Sequence, residues 1–209
     1  MKYLYRIVNI LLALSTFPVA IFADLIAFRM STSFISEVGL EESISIKFII
    51  DVITGKEAFW HEMIFEKSTS SFGWPAALDP IKGRLIAVAV CFVLVLVAML
   101  FIIFWSIFSS RRIPVLAATV TALISTIVMI ACFNSAAALI VDGSVNIMSV
   151  FSGGWLMGIV GNFVGFDSLI LGGFQNGIIF ILVGLLVWTG SYYLIEIGEP
   201  EEEKAKGRK

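Results

Sequence analysis

Residues 85–108 read LIAVAVCFVLVLVAMLFIIFWSIF, residues 109–112 read SSRR, and residues 113–141 read IPVLAATVTALISTIVMIACFNSAAALIV. The first and third pieces carry no charged residue. Each is at least as long as the roughly 20 apolar residues a helix needs to cross a bilayer. The break between them is too short for a domain. The spacing predicts a transmembrane hairpin over 85–142, turning at Ser109-Ser110-Arg111-Arg112.

Composition agrees. The 209-residue chain is 59% hydrophobic and 14% charged, with a mean hydropathy of +0.99. Soluble domains are typically about 25% charged, so the membrane class is indicated before any motif is read. A net charge of −2 gives no footing for nucleic acid. Cys91 and Cys132 both lie inside the apolar runs, so no disulfide framework staples the segments outside them.

At the start, Lys2 and Arg6 precede the apolar run Ile7–Ala23. A signal peptide ending at Ala23 is one reading. The favoured one is a retained first helix over residues 1–28 that continues through Leu25-Ile26-Ala27-Phe28. Asp24 then sits hydrated at the membrane interface. Residues 29–84 form the main loop. Arg29–Gly39 reads as irregular chain. In Glu41–Ile53 the isoleucines Ile46, Ile49, Ile50 and Ile53 recur at helical spacing, with Gly55 as a stop. Lys56–Lys67 repeats the pattern through Phe59, Trp60, Met63 and Ile64. These are expected to be two short amphipathic helices on the membrane surface, capping the bundle or docking a partner. Ile46, Ile49, Ile50, Phe59 and Trp60 are the candidate docking residues. His61 lies four residues after Glu57 and near Glu62 and Glu66. A single histidine does not complete a usual zinc site, so no metal or cofactor is expected.

In the segment 143–176, Gly154, Gly158, Gly161 and Gly165 are spaced to share one helical face. This predicts a re-entrant or fifth membrane helix packed face-on against a neighbour. In the last span, 177–197, Gly177, Gly184 and Ser191 recur every seven residues and mark a second close-packing face. Trp188, Tyr192 and Tyr193 form an aromatic belt. Asn134, Asp142 and Asp167 are the candidates for a polar pathway. The tail 198–209 mixes charges and reads as solvated chain.

The fold expected is therefore an all-α, multi-pass integral membrane protein. It has four transmembrane helices plus the glycine-striped segment. Lys2 and Arg6, Arg111 and Arg112, and the tail lysines and arginines belong in the cytoplasm by the positive-inside rule. Four crossings satisfy this, with both termini inside a plasma or bacterial inner membrane. Five would put the basic tail outside. Lys82 and Arg84 fall on the outer side in the four-crossing arrangement.

One long outer loop, a tight inner turn and four spans resemble the layout of tetraspan families such as the claudin-like proteins. The resemblance implies a four-span layout and gives no residue a role. Claudins carry a Trp-Gly-Leu-Trp stretch and a cysteine pair in the first outer loop. Here Gly73-Trp74 stands alone and the loop has no cysteine. A claudin loop is a sheet, whereas residues 41–67 are helical in period.

The sequence holds no P-loop, no His-Glu-x-x-His and no Cys-x-x-Cys. Nor does it hold a Gly-x-Ser-x-Gly to serve the lone His61. No enzyme activity is expected. The first expectation is a non-catalytic accessory or assembly subunit, with the bilayer and other membrane subunits, or its own copies, as partners. The second is a small oligomeric channel or carrier with 143–176 lining the pathway. A lipid-interacting or enzyme-like protein ranks third.

Overall fold

The computed structural model describes residues 2–32, 35–57, 76–145 and 164–198. Among the described residues, four helices are long and apolar enough to cross a membrane. They are α1 (Lys2–Phe22), α3 (Lys82–Phe108), α4 (Arg112–Val141) and α5 (Gly173–Gly198). A short helix α2 (Ile46–Ile53) lies between the first two. Three strands complete the described fold: β1 (Asp24–Thr32), β2 (Ile35–Ser45) and β3 (Val164–Leu171).

Helix α1 packs on α3 and α5, and α4 packs on the same two. The four spans thus form a square in which α1 and α4 are diagonal. One buried stripe per helix makes the core: Tyr5, Asn9, Ala13, Thr16 and Ala20 on α1, and Val95, Met99, Ile102 and Ser106 on α3. From α5 come Phe174, Ile178, Leu182, Leu185 and Thr189. Leu11, Leu14, Val93, Val97, Phe104, Ile124, Val183 and Val187 remain exposed around the outside. In water so much apolar surface would drive association; in a bilayer it is the lipid-facing side.

The sheet corrects the all-α expectation. Its order is β2-β1-β3, antiparallel throughout. Helix α1 stops at Phe22, and Leu25-Ile26-Ala27-Phe28 belongs to a strand. β1 is central, paired on both sides. Its residues 25–28 are all apolar and half-buried, and such a short apolar run cannot be separated by periodicity from the end of a helix. Arg29–Gly39, expected as loop, falls largely within the two paired strands.

The isoleucine stripe does form a helix, but later than expected. Glu41–Ser45 ends β2, and α2 begins at Ile46. Ser45 caps it: its Oγ accepts the Phe48 N–H at 3.1 Å, removing one of the unpaired donors of the first turn. Gly55, at φ 76°, ends it. The Gly55 N–H donates to Val52 O, and the Lys56 N–H donates to Asp51 O. That pair of bonds is the glycine-terminated helix stop. Within this loop residues 24–32 and 35–45 are paired strands, so the helical period expected over 41–67 holds, among the described residues, for Ile46–Ile53. The second amphipathic helix, including Phe59 and Trp60, lies outside the described residues.

The glycine-striped segment also needs correction. Gly154, Gly158 and Gly161 lie outside the described residues, but Gly165 is in β3, opposite Ser31 of β1. It cannot share a helical face with the others. From Val164 to Leu171 the chain is the edge strand β3, so this part of the segment is not a membrane helix. Leu169 and Leu171, with Ile26 of β1, pack down on Phe133, Ala137 and Val88. Ile170, between the two leucines, is 56% exposed. The sheet is thus a cap on one end of the bundle. The opposite end holds Lys2, Arg6, Arg111 and Arg112, and we call it the basic end.

Sheet and bundle meet at Gly172. Its N–H donates to Leu25 O at 3.0 Å. A Cβ built there would lie 2.5 Å from Asp24 O and 2.9 Å from Asp24 C. These are backbone atoms of the α1–β1 corner, and they cannot swing aside. Gly172→Ala should cost about 1–3 kcal/mol by overpacking. Its neighbour Gly173 has nothing within 4 Å of the same position, so Gly173→Ala should leave stability unchanged or slightly raised. Thermal unfolding of both variants in detergent tests this; equal midpoints would refute it.

Candidate functional site

Two features stand out among the side chains: a close seam between α1 and α5, and a group of buried polar residues near the basic end.

The seam runs antiparallel. At the sheet end, a Cβ on Gly177 would lie 2.6 Å from Val19 Cγ1. One heptad on, a Cβ on Gly184 would lie 3.9 Å from Leu12 Cδ2, an ordinary contact. At the basic end, Tyr5 and Tyr192 stack with centroids 4.4 Å apart. Small residues let helices approach in lipid, where no hydrophobic effect draws them together. The close approach is thus at Gly177, within the chain, and at Gly184 the helices make ordinary contact. Ser191 is exposed and takes no part; the neighbouring Tyr192 makes the contact.

Arg112 completes the basic end. Its Cζ lies 5.0 Å from the Tyr192 ring centroid and 5.3 Å from that of Tyr193. A guanidinium over an aromatic face is worth about 0.5–2 kcal/mol, depending on desolvation. The hairpin turn is closed nearby by Trp105, whose Nε1–H donates to Arg111 O at 3.3 Å.

The expected polar pathway does not assemble. Asn134 is exposed on α4, and Asp167 is exposed in β3. Asp142 follows the last residue of α4, fully exposed, and its Oδ1 accepts the Ser144 N–H at 2.8 Å. Asp24 is exposed at the start of β1, where its Oδ1 accepts from Ser43 Oγ at 2.8 Å. Neither Asp142 nor Asp167 is inside the bundle. Among the described residues no group of three or more His, Cys, Asp or Glu could hold a metal ion. His61, Glu62 and Glu66 lie outside the described residues.

The buried polar residues are ones the sequence reading passed over. Asn9 is 0% exposed, Thr16 0%, Ser106 1% and Thr189 3%. None of their side-chain polar atoms has a hydrogen-bond partner, and the same holds for Tyr5 Oη, Arg6 Nε and Trp188 Nε1. Several other hydroxyls in the bundle are satisfied locally. Thr119 and Thr126 each donate at 2.8 Å to the carbonyl four residues back, and Ser15 donates to Leu12 O at 2.7 Å. The signal was available: Tyr5, Asn9 and Thr16 recur at helical spacing within an otherwise apolar run.

Of the docking candidates, Ile46 is half-buried, while Ile49 and Ile50 are 41% and 48% exposed. Ile53 joins them at 57%. Val52 is buried, and α2 touches both α1 and β2.

No protein-family model, curated protein or solved structure matches this chain.

Three substitutions test the seam. Gly177→Ala should destabilise by about 1–3 kcal/mol, and Val19→Ala should recover much of that loss, because the two sites share one contact. Gly184→Ala should be near neutral. Additive losses at Gly177 and Val19 would show that the seam is not where the helices meet. A third prediction concerns pH. The Ser144 N–H holds the Asp142 carboxyl below the usual carboxylate range. Such a group adds stability above its unfolded pKa of about 3.9, and loses it as pH falls through the folded value. Asp142→Asn should therefore show a smaller loss of stability on acidification than the parent. Parallel curves would exclude the interaction.

Proposed function

We propose that this chain is a non-catalytic, multi-pass membrane protein that serves as an accessory or assembly subunit of a larger membrane complex. Its sheet end carries the docking surface. The observation behind this reading is α2. The helix is capped at both ends and held against α1 and β2, yet turns Ile49, Ile50 and Ile53 outward. A short, well-terminated helix that leaves half its apolar side uncovered suits a protein partner. The glycine face of α5 is used within the bundle, so partner contact moves from the glycines to the sheet end.

The orientation proposed is the one that keeps the basic residues in the cytoplasm. Lys2, Arg6, Arg111 and Arg112 all lie at the end opposite the sheet, and the C-terminal end of α5 reaches the same side. Both termini are then cytoplasmic and the sheet is extracytoplasmic, in a plasma or bacterial inner membrane. Partners are the bilayer and other membrane subunits, or further copies of this chain.

A second reading, a small oligomeric channel or carrier, is favoured by the unpartnered Asn9, Ser106 and Thr189. Against it, the core toward the sheet end is filled by Met99, Ile102, Ile178 and Leu182, all 0% exposed. Of the segment 143–176 expected to line a pathway, residues 164–176 are sheet, corner and helix start, and residues 146–163 lie outside the described residues.

Affinity isolation after gentle extraction from the native membrane tests the first reading. The parent chain should bring down a defined set of other chains. The Ile49→Glu/Ile50→Glu double variant should lose them while keeping its own unfolding midpoint. The same set recovered with the double variant, or a chain that comes down only with itself, would reject the docking surface.

A further inference from the structure

We propose that Asn9, Ser106 and Thr189 form a buried hydration site, a polar layer from three helices that binds ordered water near the basic end of the bundle.

The depth of each residue follows from contacts at that end. Tyr5 stacks on Tyr192, and Arg112 lies over Tyr192, so these three mark one level. Asn9 is four residues from Tyr5, Thr189 is three from Tyr192, and Ser106 is three from the α3 cap at Ser109. At 1.5 Å per residue each is about one helical turn deeper. Three adjacent helices therefore place a polar side chain at the same level. The next level is apolar: Ala13, Ile102 and Leu185, each 0% exposed. The polar layer is bounded by aromatic rings and a guanidinium on one side and by hydrocarbon on the other.

Leaving such groups unmet is costly. A buried donor or acceptor without a partner is destabilising, and more so where no water is at hand. Asn9 alone has an unmet Oδ1 and an unmet Nδ2, and two hydroxyls share its level. Tyr5 Oη and Trp188 Nε1 lie within a turn of it and are unmet too. A buried water makes about three hydrogen bonds to groups of this kind. The layer offers both donors and acceptors, and its members are uncharged, which suits water over an ion. Thr119 and Thr126 set the contrast: they bond to their own helix, while Ser106 and Thr189 do not.

X-ray radiolytic labelling of the full chain in lipid nanodiscs tests the site. Water bound inside a protein is converted to hydroxyl radical where it sits and oxidises the side chains it touches. Tyr5, 1% exposed, and Trp188 should label faster than Met129, a readily oxidised side chain that is also 1% exposed but whose polar neighbour one turn back, Thr126, is bonded to its own helix. In the Asn9→Leu/Ser106→Ala/Thr189→Val variant, labelling of Tyr5 and Trp188 should fall to the Met129 level. Removing all the polar partners together is near neutral for stability, so the variant should remain folded. Should it not fold, the parent measurement decides alone. Labelling of Tyr5 and Trp188 no faster than Met129 in the parent overturns the site, as does undiminished labelling in the folded variant.

Discussion

The contact on which the rest of the structure depends is the one between Gly172 and the backbone of Asp24. Helix α1 leaves the bundle at Phe22 and becomes β1 within two residues. β3 ends at Leu171 and becomes α5 within two residues. Both corners occupy the same place, and only a residue without a Cβ lets them do so. A chain leaving a membrane must find partners for its backbone groups at once. β1 finds them on both edges, with β2 on one side and β3 on the other. The first and last spans are consequently held side by side, and the seam along α1 and α5 starts from this corner.

From there the two ends of the bundle are secured by different forces. At the sheet end, strand pairing adds to packing of Leu169 and Leu171 on α4. At the basic end there is no backbone pairing between helices; ring stacking, a guanidinium over two tyrosines and the tight α3–α4 turn hold the helices. Hydrophobic transfer does little to hold helices together in lipid, so these specific contacts and close packing carry the association. The weak place in this scheme is the polar level next to the tyrosines. Apolar side chains there would give a simpler core, which makes Asn9 the least expected residue of the interior.

The four spans were legible from the sequence because length and lack of charge suffice to mark them. The isoleucine stripe of α2 was legible as well, since Ile46, Ile49, Ile50 and Ile53 can share a face only in a helix. The sheet was not. β1 is an apolar run continuing an apolar helix, and only the pairing of residues distant in sequence separates one from the other. Glu41–Ser45 was absorbed into the helix that follows because nothing in its own pattern forbids helix. Gly165 was drawn into a glycine series by spacing alone, although its strand pairs with Ser31. The packing role of Gly177 and Gly184 could be read from their spacing, but whether they meet a neighbour in the same chain or in another could not. Asn9, Ser106 and Thr189 escaped notice because each is one mild polar residue in a long apolar run. Their shared depth exists only once three helices are aligned.

The sheet order has a consequence for how the chain is made. β1 is complete after the first few dozen residues, but β3 belongs to the last part of the chain. Throughout synthesis of the hairpin spans, one edge of β1 is an open row of backbone donors and acceptors, the kind of edge to which other strands add. Closing it requires a pairing across most of the chain length, the slowest sort of contact to form. The nascent protein therefore has its first three spans made before the third strand of its cap exists. That edge stays open until Val164–Leu171 has been made, just before the last helix.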